Sequence, residues 1–187
     1  MAVRIRPPAE ADVLAMYRAD GTAFGSQWKP EDIERTRPTI ELDRFRIAVD
    51  GHDVVGTAGS FGFEMTVPGG GTLPTGGVTW VSCAVTHRRQ GVLRSLMQAI
   101  HDDIDARDEP LAALGASEGG IYERFGYGVA SLRRGVEIDR RRAQLRSEYQ
   151  PKPGSVRLVH PDDAVELFMP RWERARRVRP GEISRDE

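Results

Sequence analysis

Residues 78–104 constrain the fold of this chain more than any other stretch. Val78 to Val85 (VTWVSCAV) is an apolar, β-branched run of strand length. His87 to Gly91 (HRRQG) is a basic turn. Leu93, Leu96, Met97, Ile100 and Ile104 then recur at the spacing of one helix face. A strand that feeds a helix through a glycine-bearing basic turn predicts a mixed α/β domain, with a sheet flanked by helices.

The flanking segments fit that class. Val3-Arg-Ile-Arg alternates like a half-buried strand and ends at Pro7-Pro8. Ala9 to Ala19 predicts a helix with Val13, Leu14 and Tyr17 on one face, and Pro30 opens a short second helix. Phe45 to Val49 predicts a strand, Asp50-Gly51 a hairpin turn, and Val54 to Thr66 the return strand, weakened or bulged at its glycines. Val67 to Gly77 (VPGGGTLPTGG) has the composition of a loop. Beyond the long helix, which Pro110 closes, Leu111-Ala-Ala-Leu predicts a buried strand. Glu118 to Phe125 predicts a short helix, and Val129 to Ile138 the last strand or pair of strands.

The polar, arginine-rich stretch 139–154 ends Pro151-Lys-Pro-Gly and reads as a linker. Val156-Arg-Leu-Val, then Pro161-Asp-Asp and a helix bearing Val165, Phe168, Met169 and Trp172, repeat the strand-then-helix opening of the chain. The expected division is a first domain over 1–138, a linker over 139–154, and the start of a second domain over 155–187. The apolar face of that last helix is expected to dock on its own first domain or on a neighbouring chain, so self-association is expected.

Net charge is −1 over 187 residues, so no global field draws the chain to nucleic acid. Arg133-Arg134 and Arg140-Arg-Arg are interspersed with acids and read as a solvated linker rather than a nucleic-acid patch. No apolar run approaches membrane-span length, and Met1-Ala-Val-Arg lacks a secretion-signal core, which predicts a cytoplasmic protein. Cys83 is the sole cysteine and reads as a buried strand residue. His52, His87, His101 and His160 lack metal-ligand spacing, so no metal is expected. His101 and Asp102-Asp103 read as the solvated side of their helix.

The basic turn carries the chemistry. Successive backbone N–H groups in such a turn form a concave nest, and the following helix N-terminus adds partial positive charge. Gly91 permits close approach of the backbone to a phosphate, while Arg88 and Arg89 add charged donors. A bare five-residue turn is equally a solvated helix start. The strand before it and the helix after it favour a pyrophosphate site.

Arg88-Arg-Gln-Gly-Val-Leu resembles the Arg/Gln-x-x-Gly-x-Gly/Ala signature of the GCN5-related N-acetyltransferase (GNAT) family, with Leu93 departing in the last place. Thr86-His-Arg-Arg-Gln-Gly-Val-Leu-Arg, Val67-Pro-Gly-Gly, Leu73-Pro and Ala116-Ser-Glu-Gly-Gly-Ile-Tyr-Glu-Arg-Phe-Gly-Tyr-Gly are similar to the enhanced-intracellular-survival (Eis-like) branch. The resemblance covers most of 40–138, is weaker before that, and resumes at Ser155 as the start of the branch's second domain. It implies the GNAT fold: a twisted mixed sheet, splayed near Val81 to Val85 and flanked by helices.

The resemblance also implies acetyl-CoA as donor and a primary amine, of an aminoglycoside or a lysine side chain, as acceptor. Cys83, Ala84 and Val85 would offer backbone donors to the acetyl carbonyl and pantetheine arm. Val85 stands where relatives often have proline. Arg88, Arg89, Gln90, Gly91 and Val92, with Arg94 nearby, would hold the pyrophosphate. Tyr127, in Phe-Gly-Tyr-Gly, would be the general acid, although a lone tyrosine is also a common core residue. Tyr122 would pack against the cofactor arm or the core. The branch's base is a C-terminal carboxylate of a longer chain. Glu187 ends this one, so a cofactor-binding but catalytically incomplete module is the alternative to an enzyme. Trp28, Asp20 and Glu64 could line the acceptor pocket, an aromatic face and carboxylates suiting a cation. A capping aspartate and a surface tryptophan explain the first two equally well.

Overall fold

The computed structural model describes residues 3–116, 118–144, 146–149, 154 and 156–185. Five strands form one sheet in chain order: β1 (Arg4–Arg6), β2 (Phe45–Asp50), β3 (Asp53–Thr66), β4 (Thr72–Cys83) and β5 (Leu111–Ala113). The first four pair antiparallel, and β5 joins β4 in parallel. Helices α1 (Val13–Ala23) and α2 (Pro30–Thr36) precede β2, α3 (Val92–Ala106) links β4 to β5, and α4 (Ala164–Arg176) lies near the end. The mixed α/β class and flanked mixed sheet are therefore observed.

The alternation of β2 divides the core between two faces. Ala48 packs towards Val92, Leu96, Met97, Ile100 and Ile104 of α3. Ile47 and Val49 pack with Val13, Met16 and Tyr17 of α1 on the other face. Leu14, expected on the buried face of α1, is half exposed, and Met16 and Asp20 are buried in its place.

The glycine-rich stretch after β3 is only partly a loop. Residues 67–71 form the turn, but β4 already begins at Thr72. A Cβ on Gly76 would lie 2.5 Å from Ile104 Cδ1, and one on Gly77 2.3 Å from Phe63 Cε2. These glycines admit neighbouring side chains to the sheet, and composition alone disguises that role.

The sheet opens beside β4. Its pairing with β5 spans only Thr75↔Leu111, Gly76↔Ala112 and Gly77↔Ala113, after which β4 runs on to Cys83 with no strand on that side among the described residues. Within β4, Trp80 and Val81 together oppose Ala58 of β3, and Trp80 adopts φ 53°. Left-handed backbone at a tryptophan costs about 1–3 kcal/mol and persists only where its surroundings over-determine it. The Thr57 hydroxyl donates to the Trp80 carbonyl at 2.6 Å, and Tyr17, Trp28 and Phe45 enclose the indole.

Two expected elements differ. Residues 129–138 join no strand, and Val129, Leu132, Val136 and Ile138 are exposed. Glu118 to Phe125 resolves into two 3-10 turns, Gly119–Ile121 and Glu123–Phe125. The linker residues 150–153 and the boundary at Ser155 lie outside the described residues.

The C-terminal segment docks on the β3 edge that β2 leaves free. Thr66 N–H donates to the Glu182 carbonyl at 2.9 Å, and Ser184 N–H to the Glu64 carbonyl at 2.8 Å. Trp172 Nε1–H donates to the Ile183 carbonyl at 3.2 Å, which ties α4 to this strap. Phe168 remains 54% exposed, so docking covers only part of the helix's apolar face.

At the other end of the fold, Arg6 grips Asp12 with two bonds of 2.7 and 2.9 Å, and Ala9 N–H adds a third at 2.7 Å. The Arg6 guanidinium, then the Ala9 amide, hold the Asp12 carboxyl down at about 2, against an ordinary value of 3.8. A depressed pKa stabilises the fold above the ordinary value, and that stabilisation is lost as pH falls towards the folded one. The stability difference between wild type and Asp12→Asn should therefore be full at pH 6 and shrink from pH 4 towards pH 2.5 in urea titrations. A pH-independent difference would show that the ion pair contributes nothing.

Candidate active site

The turn between β4 and α3 has the backbone of an anion nest. Arg89 sits at φ 61° and Gly91 at φ 85°, both left-handed, and Gly91 caps α3. Alternating left- and right-handed residues turn successive N–H groups to one side, and the first amides of α3 have no helical acceptor. Val92 is buried and anchors the helix start. Arg88, Arg89 and Arg94 are exposed, and none forms an ion pair among the described residues. The structure thus gathers three uncommitted cations around a set of free amides. Gln90 differs: its side-chain amide donates to the Thr86 carbonyl at 2.8 Å, so it closes the turn and only its backbone is left for a ligand.

Strand alternation sorts the donors at the end of β4. Ala84 N–H donates to the Val55 carbonyl at 2.8 Å, which removes Ala84 from the expected donors. Neighbouring amides in an antiparallel ladder point opposite ways, so Cys83 N–H faces the open side towards β5. Cys83 is half-buried, and burial pushes its thiol pKa up, partly offset by Arg88, so the thiol stays protonated at neutral pH. Val85 begins a short 3-10 turn, Val85–His87, and is 71% exposed.

Tyr127 lies against the same cluster as Cys83, Ala84 and Leu93. Its hydroxyl is 2.9 Å from His101 Nε2, and both residues line a cavity of about 440 Å³ with Glu109, Leu111 and Phe125. Burial, then the adjacent Tyr122, push the Tyr127 phenol up to about 12. Burial lowers the His101 pKa, against a smaller opposing effect of Asp102. If the neutral imidazole carries its proton on Nε2, it donates to the phenol oxygen and leaves the phenol proton free for the cleft.

His101 is half-buried and paired with Tyr127, whereas the sequence suggested a solvated position. It falls four residues after buried Met97 and three before buried Ile104, at the edge of the apolar stripe, and that position was the available signal. Asp103 likewise binds Arg46 and Arg107. Tyr122 packs edge-on to Tyr127 at 5.9 Å, and no hydrogen bond to its hydroxyl occurs among the described residues.

On the opposite face, Asp20 and Trp28 come together. The indole N–H donates to Asp20 Oδ2 at 3.0 Å, Trp28 stacks on Trp80 at 5.5 Å, and Tyr17 meets both edge-on. Asp20 is 7% exposed and Trp28 half-buried, so neither is a simple cap or surface residue. Burial raises the Asp20 pKa, with the Trp28 N–H opposing it. A cavity of about 370 Å³ lies between α1 and α2, lined by Tyr17, Gly21, Gln27, Trp28 and Ile33. Glu64 does not join them. Its carboxylate takes a bond from Arg176 at 2.9 Å, which commits it to the C-terminal strap. Glu187 lies outside the described residues. No group of three metal-binding side chains occurs among the described residues.

Comparison with known proteins agrees with this architecture. Residues 4–130 match the acetyltransferase (GNAT) domain family. The chain is 43% identical over 169 residues to the uncharacterized N-acetyltransferase SCO2625 of Streptomyces coelicolor, covering 87% of this chain and 41% of that protein. It is 37% identical over 195 residues to the N-acetyltransferase Eis of Mycobacterium tuberculosis, covering 100% of this chain and 48% of that one. The crystal structure of Eis1 from Mycobacterium abscessus superposes with a TM-score of 0.76 at 29% identity, over 99% of this chain and 45% of that one. The chain thus spans less than half the length of these relatives. With its sheet, its open β4 edge and its nest at the head of α3, the chain belongs to the GNAT acetyltransferases and resembles the Eis proteins along its whole length.

Proposed function

We propose that this chain forms the acetyl-CoA site of an N-acetyltransferase that acylates primary amines, of the aminoglycoside or lysine type. The nest at Arg89–Val92, with three unpaired arginines beside it, is the observation that carries the reading. It suits a pyrophosphate, and the strand opening beside Cys83 suits an extended pantetheine arm.

The reaction follows from those parts. A neutral amine attacks the thioester carbon, and negative charge grows on the carbonyl oxygen, where the Cys83 N–H is placed to donate. Collapse expels the thiolate, which takes a proton from Tyr127, while the new amide nitrogen sheds its extra proton to solvent and the phenolate regains one from it. A phenol at about 12 stays protonated at neutral pH but is a weaker acid than an ordinary tyrosine. The cavity between α1 and α2 is the acceptor side, where Trp28 offers aromatic surface to a cation and buried Asp20 fixes that indole through its N–H at 3.0 Å.

The test is acetyl-CoA consumption with an aminoglycoside or a lysine peptide. Tyr127→Phe should lower kcat by about a hundredfold or more while acetyl-CoA still binds, the modest end of general acid catalysis. Tyr122→Phe is the companion variant, because that hydroxyl is free and lies in the same cluster. A loss confined to Tyr122→Phe would move the acid to Tyr122. Binding of acetyl-CoA with no transfer to any amine would favour a binding module.

A further inference from the structure

We infer that Asp50 is a positioning residue for the cofactor turn, acting through His87; the inference rests on the acetyl-CoA reading above. The β2–β3 hairpin pairs Ala48 with Gly56 but Val49 with Val54, so Val55 has no opposite number. Bulges of this kind re-aim the residues around them. Two contacts with the cofactor turn follow from it. The Val55 carbonyl accepts from Ala84 N–H at 2.8 Å, just where β4 ends. Past the bulge, Asp50 Oδ2 meets His87 Nε2 at 3.3 Å.

His87 passes that contact on. Its Nδ1 lies 2.8 Å from the Thr86 hydroxyl, its backbone N–H donates to the Ala84 carbonyl at 2.9 Å, and the Gln90 amide holds the Thr86 carbonyl at 2.8 Å. Thr86 is therefore held from both sides, and the turn rests on the hairpin through Val55 and Asp50. Arg88 and Arg89 make no side-chain bond among the described residues, so nothing on their own side fixes the nest.

Asp50 Oδ1 supplies the second argument. It is buried and has no hydrogen-bond partner among the described residues. An acceptor left unsatisfied costs free energy, and a carboxylate facing an anion-binding turn opposes the ligand as well. Retaining the group there is explained by its hold on His87, which presets the amides and avoids the ordering cost at binding.

Coulomb repulsion and bracing predict opposite signs. If Asp50 only repelled the cofactor, Asp50→Ala would tighten acetyl-CoA binding. Bracing predicts a weakening of about tenfold, the equivalent of one hydrogen bond, with kcat and the acceptor KM unchanged within about twofold. Asp50→Asn keeps an oxygen that accepts from His87 and should restore most of the affinity. His87→Ala should match Asp50→Ala, and the double variant should be no weaker than either, because one contact is lost once.

Calorimetry with acetyl-CoA on the full chain reads the affinities and steady-state turnover with an amine acceptor reads kcat and KM, with Gly91→Asp run alongside. Wild-type or tighter affinity in Asp50→Ala, while Gly91→Asp fails to bind, overturns the brace and leaves the cofactor turn standing. Wild-type affinity in Gly91→Asp overturns the cofactor reading itself. Should Asp50→Ala not fold, His87→Ala carries the same expectation, and wild-type affinity there is equally fatal to the brace.

Discussion

Gly91→Asp should abolish the thermal stabilisation that acetyl-CoA gives this chain while leaving the fold intact. Gly91 caps α3 at φ 85° and ψ −5°, and a Cβ built there meets nothing within 4 Å. The change therefore introduces no clash. A side chain at this left-handed backbone is strained, but aspartate tolerates it better than most residues, so α3 should persist. What changes is the charge of the nest. A carboxylate roughly 5 Å from one phosphate charge, at an effective dielectric of about 20, costs about 3 kcal/mol, more than 100-fold in affinity. Stabilisation by ligand scales with the logarithm of concentration over Kd, so it should vanish at concentrations that saturate wild type. Gly91→Asn separates charge from shape: it is isosteric and neutral, and should keep a measurable shift. If Gly91→Asp is stabilised as strongly as wild type, the pyrophosphate does not lie on this turn.

The second large effect concerns stability. Arg44→Met should cost about 3–5 kcal/mol, because it strands a buried carboxylate. Arg44 and Glu109 side chains are 7% and 9% exposed, and one guanidinium nitrogen meets both carboxylate oxygens at 2.7 and 2.8 Å. Arg44 Nε also donates to the Ser60 carbonyl at 3.2 Å. The pair joins the start of β2, the middle of β3 and the loop between α3 and β5. Gly62 and Gly76 make room for it: a Cβ on Gly76 would lie 3.1 Å from Glu109 Oε2. Urea denaturation of Arg44→Met and of Arg44→Met/Glu109→Leu would settle the matter. The double variant should recover most of the loss, since replacing both buried charges by apolar groups is often close to neutral. A single variant within about 1 kcal/mol of wild type would mean that water reaches Glu109.

The α3 stripe and the turn before it were legible because their signals are local. Helical spacing of apolar residues and a glycine before Val92 are properties of one segment. The same holds for the β2–β3 hairpin, marked by Asp50-Gly51 between apolar runs. The glycine-rich start of β4 was hidden for the converse reason. Gly76 and Gly77 are small because Ile104 and Phe63 press on them, and those partners lie elsewhere in the chain.

Sequence by itself thus determined the α/β class, the strand–turn–helix unit and the position of the glycine-bearing turn at the head of α3, all set by neighbours within a few turns of backbone. Tertiary structure alone decided which polar side chains were free. It spent the Ala84 amide on Val55, gave Glu64 to Arg176, drew His101 to Tyr127, and closed Asp20 against Trp28. It also left residues 129–138 outside the sheet. A hydrogen bond is decided by what lies within about 3 Å. For residues tens of positions apart, only the packing of the sheet against its helices sets that distance.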